Sequence, residues 1–148
     1  MSVRQDGRPV QILLVEDDQG DALLTTETLK RASSNHNLTW VRDGVEAMAF
    51  LRDKTLPAKS PKPDLILLDL NMPRKNGREV LEELKADPIL KRIPVIVLSC
   101  SSAEEDIERC YELGASCYIS KPVDAVEFFR AMSAFVDLWL NVAQLPPR

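Results

Sequence analysis

The chain has 148 residues, of which 45% are hydrophobic and 28% charged, with a formal net charge of -4. That length suits one domain with a real core and is short for two, and the balance is that of a soluble globular protein. An acidic total argues against general nucleic-acid binding, because a phosphate backbone needs a basic face. No apolar stretch approaches the roughly 20 residues of a membrane span, and nothing after the polar start MSVRQDGRP resembles a signal peptide. Cys100, Cys110 and Cys117 are odd in number and are not spaced for zinc, so they read as reduced thiols in the cytoplasm. His36 is the only histidine, which rules out a multi-histidine metal site.

Apolar runs alternate with helical patterns along the chain. Residues 9–18 (PVQILLVEDD) read as a strand ending in acids, and 21–33 as a helix with Asp21 as its cap. Residues 38–43 read as a short strand and 45–53 as a helix. Residues 52–63 form a loop by their three prolines, Pro57, Pro61 and Pro63, and Lys59 makes it basic and solvated. Residues 64–69 (DLILLD) are a strand. Asn76-Gly77 is a turn before a helix over 78–87 that Pro88 stops. Residues 94–99 form the fourth strand. Residues 103–114 form a helix with acids in its first turn and Gly114 as its C-terminal cap. Residues 116–120 form the fifth strand, and 124–144 a last long helix.

Five βα units with short links result. Apolar runs at Ile12–Val15, Leu65–Leu68 and Val95–Leu98 imply strands buried on both faces. This means an α/β fold, a five-stranded parallel sheet with helices on both sides. Right-handed crossovers make it doubly wound. One domain is expected over 1–148, with a core of about 10–144 and flexible tails at 1–8 and 146–148. No internal repeat or linker is visible.

In such a sheet the carboxyl ends of the strands share one edge, and ligands bind there. Strand one brings Glu16, Asp17 and Asp18 to that edge, strand three Asp69, strand four Ser99 and strand five Lys121. Several carboxylates at close range repel one another and call for a cation. All-oxygen ligands suit a hard divalent ion such as Mg2+. A cation beside a lysine ammonium can hold a phosphoryl group, and a carboxylate can take that group as an acyl phosphate. Asp69 would then end so apolar a strand because the strand is a rigid mount for a nucleophile, with Ser99 bonding the new oxygens. Taken singly, each residue has an ordinary reading. Asp69 could be a loop acid, Glu16 to Asp18 a solvated helix cap, Ser99 a turn hydroxyl and Lys121 a surface lysine. Four roles on four strand ends at one edge outweigh these.

VEDD after strand one, DLNMP after strand three, VLSCS at strand four and YISKP after strand five resemble the receiver domain of two-component response regulators, from about residue 10 to 140. The resemblance implies the strand order 2-1-3-4-5. It makes Asp69 the phospho-acceptor. Asp17, Asp69 and the backbone carbonyl of Asn71 would bind Mg2+, with Glu16 acting through water and pairing with Lys121. Ser99 would be the switch hydroxyl, Tyr118 the aromatic that turns with it, and Lys121-Pro122 a cis peptide. A narrower likeness, to stand-alone regulators of phytochrome kinases, rests on the Pro-rich insertion, NMPRKNGREVL, GASCYISKP and a final helix carrying a Trp. Ser99 stands where Thr is frequent, and Cys100 where a small Ala, Ser or Thr is usual.

The last helix carries two apolar stripes. One is Val126, Phe129, Met132, Val136, Leu140 and Ala143; the other is Phe128, Ala131, Phe135, Leu138, Val142 and Leu145, offset by about 100°. One stripe covers the sheet, and the other leads us to expect a homodimer through this helix and its neighbours. The expected partner is a histidine kinase that donates phosphohistidine. No effector domain is expected beyond residue 148, so output is expected through binding. Two rivals stand beside this reading. A receiver-like binding module that is never phosphorylated is weakened because all the acids and Lys121 are present. An aspartyl-phosphate phosphatase is weakened because Asn71 occupies the place of its usual second Asp. The five glycines form neither GxGxxG nor a P-loop, which removes nucleotide binding.

Overall fold

Two-sided apolar runs become strands, and amphipathic stretches become helices packed on them. The computed structural model describes residues 8–32, 35–53, 62–72 and 74–147. Its elements alternate strictly. β1 is Val10–Val15, α1 Gln19–Ala32, β2 His36–Val41, α2 Gly44–Arg52 and β3 Leu65–Asp69. They continue with α3 Gly77–Ala86, β4 Val95–Ser99, α4 Glu104–Glu112, β5 Cys117–Ser120 and α5 Ala125–Phe135. The sheet is parallel in the order β2-β1-β3-β4-β5, as expected. Val15 pairs with both Val41 and Leu68, Asp69 with Leu98, and Ser99 with Ser120. The register therefore brings the polar residues that follow these strands to a single edge.

Side chains alternate across each strand, and both faces are buried. Leu13, Val15, Ile66, Leu68, Val95 and Val97 pack with Ala47, Leu51, Val80, Leu81 and Leu84 of α2 and α3. Ile12, Leu14, Leu65, Leu67, Ile96 and Leu98 pack with Leu29 of α1 and Phe128, Met132 and Phe135 of α5. Each large side chain buried this way stabilises the fold by roughly 1.5–3 kcal/mol. β5 lies at the sheet edge and is only half-buried.

Local chemistry sets the ends. Asp43 caps α2, its carboxylate accepting from Glu46 N–H at 2.9 Å. Asn76 and Glu79 form a reciprocal capping box at the start of α3. Gly114 has φ +103° just beyond α4, the left-handed cap expected of it. Asp21 is not the cap of α1. The helix starts two residues earlier than the sequence suggested, and the Asp18 carboxylate accepts from Asp21 N–H at 2.7 Å. A 3-10 turn over Leu90–Arg92 was not anticipated; the Asp87 carboxylate nucleates it by accepting from the N–H groups of Ile89 and Leu90. The Lys121-Pro122 peptide is trans, not cis. In that form Lys121 N–H donates to the Ser99 carbonyl at 2.7 Å, extending the pairing of β4 with β5.

The two stripes of the last helix are redistributed. α5 gives way to a π-helix over Val136–Val142. Its i→i+5 bonding widens the turn, so 100° spacing no longer holds from Val136 on, whereas Phe128, Met132 and Phe135 precede it and share one face of α5 at regular helical spacing. The sheet draws Phe128 and Phe135 from one stripe and Met132, Val136 and Leu140 from the other. Val126, Phe129, Leu138 and Val142 are left exposed. Of the expected tails and Pro-rich loop, residues 1–7, 54–61 and 148 lie outside the described residues. Lys62 donates to the Leu51 carbonyl at 2.6 Å, closing the C-terminal end of α2.

Gly77 lets α3 start directly beneath the end of β3. Its N–H donates to the Leu70 carbonyl at 2.9 Å. A Cβ there would press on the Asp69 carbonyl oxygen and lie 2.7 Å from Leu70 Cα. Both are backbone atoms, which cannot turn aside. Gly77→Ala is therefore expected to destabilise by about 1–3 kcal/mol, although alanine is the better helix former by about 1 kcal/mol. Urea unfolding of the variant checks this, and equal or greater stability would contradict it.

Candidate functional site

The edge is built outward from β1. Glu16 follows Val15 directly, and its N–H continues the ladder to the Val41 carbonyl at 3.1 Å. Its carboxylate is 2% exposed, accepting Asp18 N–H at 3.2 Å and the Lys121 ammonium at 2.5 Å. Trp40 Nε1–H donates to the Glu16 backbone carbonyl at 2.8 Å. Asp17 is exposed.

β3 delivers Asp69, 6% exposed. One oxygen each from Glu16, Asp17 and Asp69 lies within 4.8 Å of the others. The ammonium of Lys121 is 3.9 Å from Asp69 and 3.1 Å from Asp21. Burial pushes the Asp69 carboxyl up to about 7, with the Glu16 carboxylate adding to the shift; Lys121 and the Asn71 N–H oppose it. Burial works against the charge on Lys121 too, but Glu16, Asp69 and Asp21 outweigh it and hold the ammonium above the usual lysine range. Lys121 thus stays charged, and one positive charge faces three carboxylates, with Asp17 beside them.

Ser99 is fully buried at the end of β4, one residue beyond the partner of Asp69. Its Oγ accepts from Ser101 N–H at 3.2 Å. The Tyr118 hydroxyl donates to the Ser101 carbonyl at 2.9 Å. Ser101 Oγ donates to Asp106 at 2.5 Å, and Asp106 accepts Arg78 at 2.7 Å. The Ser101 hydroxyl, then Arg78, hold the Asp106 carboxyl below the usual range. One chain of bonds therefore links β5, the loop after β4, α4 and α3.

The structure brings together Glu16, Asp17, Asp69 and Lys121, with Ser99 at the adjacent strand end. Asn71 is exposed, and its N–H bonds the Asp69 carboxylate. Asp18 does not join the cluster; its carboxylate caps α1. Asp21, read as a cap, instead supplies a further carboxylate to Lys121. A helix start moved back by two residues would have signalled this, because it turns Asp21 toward the edge. The contact of Trp40 with Glu16 left no trace in the sequence pattern.

The donor set fits a hard divalent cation. It is all carboxylate oxygen, carries excess negative charge, and contains neither histidine nor thiolate. Mg2+ matches it.

Fold and cluster together define a parallel α/β domain with a candidate cation site at its strand ends. The family model for the response regulator receiver domain matches residues 12–133. The chain belongs to the response regulator receiver family, and two-component signalling is its class of function. Response regulator Rcp1 of Synechocystis sp. is 46% identical over 138 residues, 93% of this chain and 94% of that protein. The crystal structure of the phosphorylated cyanobacterial phytochrome response regulator RcpA has a TM-score of 0.88 at 47% identity, covering 94% of this chain and 99% of that one. The Mn2+-bound form of Rcp1 has a TM-score of 0.87 at 46% identity, covering 94% and 100%.

Proposed function

We propose that the chain is a single receiver domain whose Asp69 takes a phosphoryl group from the phosphohistidine of a histidine kinase. An Asp69 carboxylate oxygen bonds phosphorus as the P–N bond breaks, and the departing imidazole keeps the bond's electrons and takes a proton. Asp17, Asp69 and the Asn71 backbone carbonyl would hold Mg2+, with Glu16 acting through water. When bound, the ion supplies positive charge against the phosphoryl oxygens. Lys121 is fixed by Glu16 and Asp21 and adds a second positive charge. The Ser99 hydroxyl is placed to turn toward the new oxygens. Tyr118 follows it by releasing the Ser101 carbonyl, and the face formed by α4, β5 and α5 changes shape. Asn71 cannot donate a proton as a second Asp could, so chemistry is confined to self-directed transfer and loss of the group. The observation that carries this reading is the convergence of Glu16, Asp17 and Asp69 on one point beside a buried ammonium.

The test is intact mass after incubation with acetyl phosphate and Mg2+. One phosphoryl adduct is expected, absent from Asp69→Asn and from a magnesium-free sample. An adduct of equal size on Asp69→Asn would overturn the assignment.

The likeness to Rcp1 and RcpA supports a kinase of the phytochrome type. Among the described residues no helix is long and apolar enough to cross a membrane. Val126, Phe129, Leu138 and Val142 lie exposed along the last helix, which supports a homodimer there. Sedimentation at micromolar concentration is expected to show a dimer, and Leu138→Glu a monomer of unchanged fold. A wild-type monomer would remove the idea.

A further inference from the structure

Asp43 and Arg74 have no part in the chemistry above, yet they tie together the two halves of the site. Asp43 is buried at the end of β2 and uses its two oxygens differently. Oδ1 accepts from Glu46 N–H and caps α2. Oδ2 accepts from both Nε and NH2 of Arg74, at 2.9 and 2.5 Å. Burial resists the charge on Asp43, but the Glu46 N–H and Arg74 outweigh it and hold the carboxyl below its usual range. Arg74 has φ +63°, in the left-handed region that a residue with a side chain rarely adopts. Such a conformation persists where the surroundings impose it. A second tie lies next to the first. Gly44 N–H donates to the Lys75 carbonyl at 3.2 Å, and a Cβ on Gly44 would come within 2.5 Å of that oxygen.

These ties join two sides of the cation site. Arg74 and Lys75 follow Asn71 by three and four residues, so they anchor the connection that leaves Asp69. Asp43 follows β2, which bonds Glu16 twice, through the Val41 carbonyl and through Trp40 Nε1–H. Glu16 and Asp17 therefore belong to the same packed unit as Asp43.

We infer that Asp43 and Arg74 are a positioning pair that sets the Asn71 backbone against Glu16 and Asp17, and so sets the affinity of the site for its divalent cation. The inference rests on the cation site proposed above. The pair touches no reacting atom. The pair bonds none of the ligands directly; loss of the hydrogen-bond partners of metal ligands weakens binding by roughly 10- to 100-fold, and a tie one step further out belongs at the lower end of that range.

The test measures Mg2+ affinity by intrinsic tryptophan fluorescence, in which Trp40 lies against Glu16, with urea unfolding alongside. Arg74→Gly removes the guanidinium and accepts positive φ without strain. The double variant Asp43→Asn/Arg74→Gly keeps a helix cap and leaves no buried carboxylate without its partner. Both are expected to bind Mg2+ about tenfold more weakly, and the double variant to unfold near the wild-type midpoint. Arg74→Lys, which brings an ammonium to Asp43, is expected to recover part of the affinity. Wild-type affinity in the double variant would show the pair to be a structural staple only, and would overturn the inference. Wild-type protein showing no Mg2+ response that Asp17→Asn removes would instead overturn the cation site itself.

Discussion

In cation-free protein, Asp69→Asn is expected to raise stability at pH 8 by roughly 2–4 kcal/mol. Wild-type Asp69 sits buried beside Glu16, with its carboxyl raised to about 7. The unfolded chain releases that proton near pH 4. Between about pH 4 and pH 7 the native state therefore holds a proton that the unfolded state has lost. Stability contributed by this group falls as pH rises through that window, and the penalty stays constant above it. Asparagine carries no charge and removes the slope. Asp43 and Asp106, whose carboxyls lie below the usual range, act in the opposite sense but below about pH 4. Their effect does not overlap the window. Added Mg2+ should reverse the ranking, because an ion that binds only the native state stabilises it and the variant lacks one carboxylate of the proposed cation site. Urea unfolding from pH 4 to 8, with and without Mg2+, checks all three statements. Parallel pH profiles for wild type and variant would show that Asp69 is not strained by its surroundings.

Lys121→Ala is expected to cost about 3–5 kcal/mol at pH 8 in the absence of metal, the usual loss when one partner of a buried ion pair is removed. The Lys121 side chain is 6% exposed. It serves Glu16 at 2.5 Å, Asp21 at 3.1 Å and Asp69 at 3.9 Å. Without it, Glu16 and Asp69 face each other away from water with no protein cation. Protonation relieves this, so the loss should shrink at pH 5.5, and Mg2+ should restore part of it at pH 8. The pair differs in kind from Arg109–Glu112 or Lys30–Glu27, exposed helix pairs worth a few tenths of a kcal/mol. Unfolding free energies at the two pH values decide it. A loss below about 1 kcal/mol at pH 8 would mean that water screens the site.

The same two residues show why the site could be read early. Asp69 ends a run whose apolarity on both faces implies a buried parallel strand, and Lys121 follows the half-buried edge strand β5. Parallel strands must end on the same edge of the sheet, so polar residues distant in the chain were bound to converge there. Asp21 shows the limit. Its role depended on α1 beginning at Gln19 rather than two residues later, and helix starts are decided by which side chain caps them. Asp18 and Asp21 are equally good caps by composition. In the fold Asp18 caps the helix and Asp21 meets Lys121.

The last helix shows the same division. Its apolar residues were visible as two stripes because a 3.6-residue repeat is local. Which face the sheet would cover was not local: it took Phe128, Met132 and Phe135 of α5, which span both stripes, and only beyond them does the π-helix from Val136 re-aim the side chains. The Arg74–Asp43 bond joins positions 31 residues apart and obeys no periodicity. By itself, then, the sequence determined the strands, their convergence on one edge and the chemistry of their ends, because burial on both faces constrains each residue locally; the strand order was implied only by the family resemblance. Only the tertiary structure decided the cap of α1, the exposed face of the last helix and the ties around the acids. The last two depend on which groups distant in the chain a side chain meets.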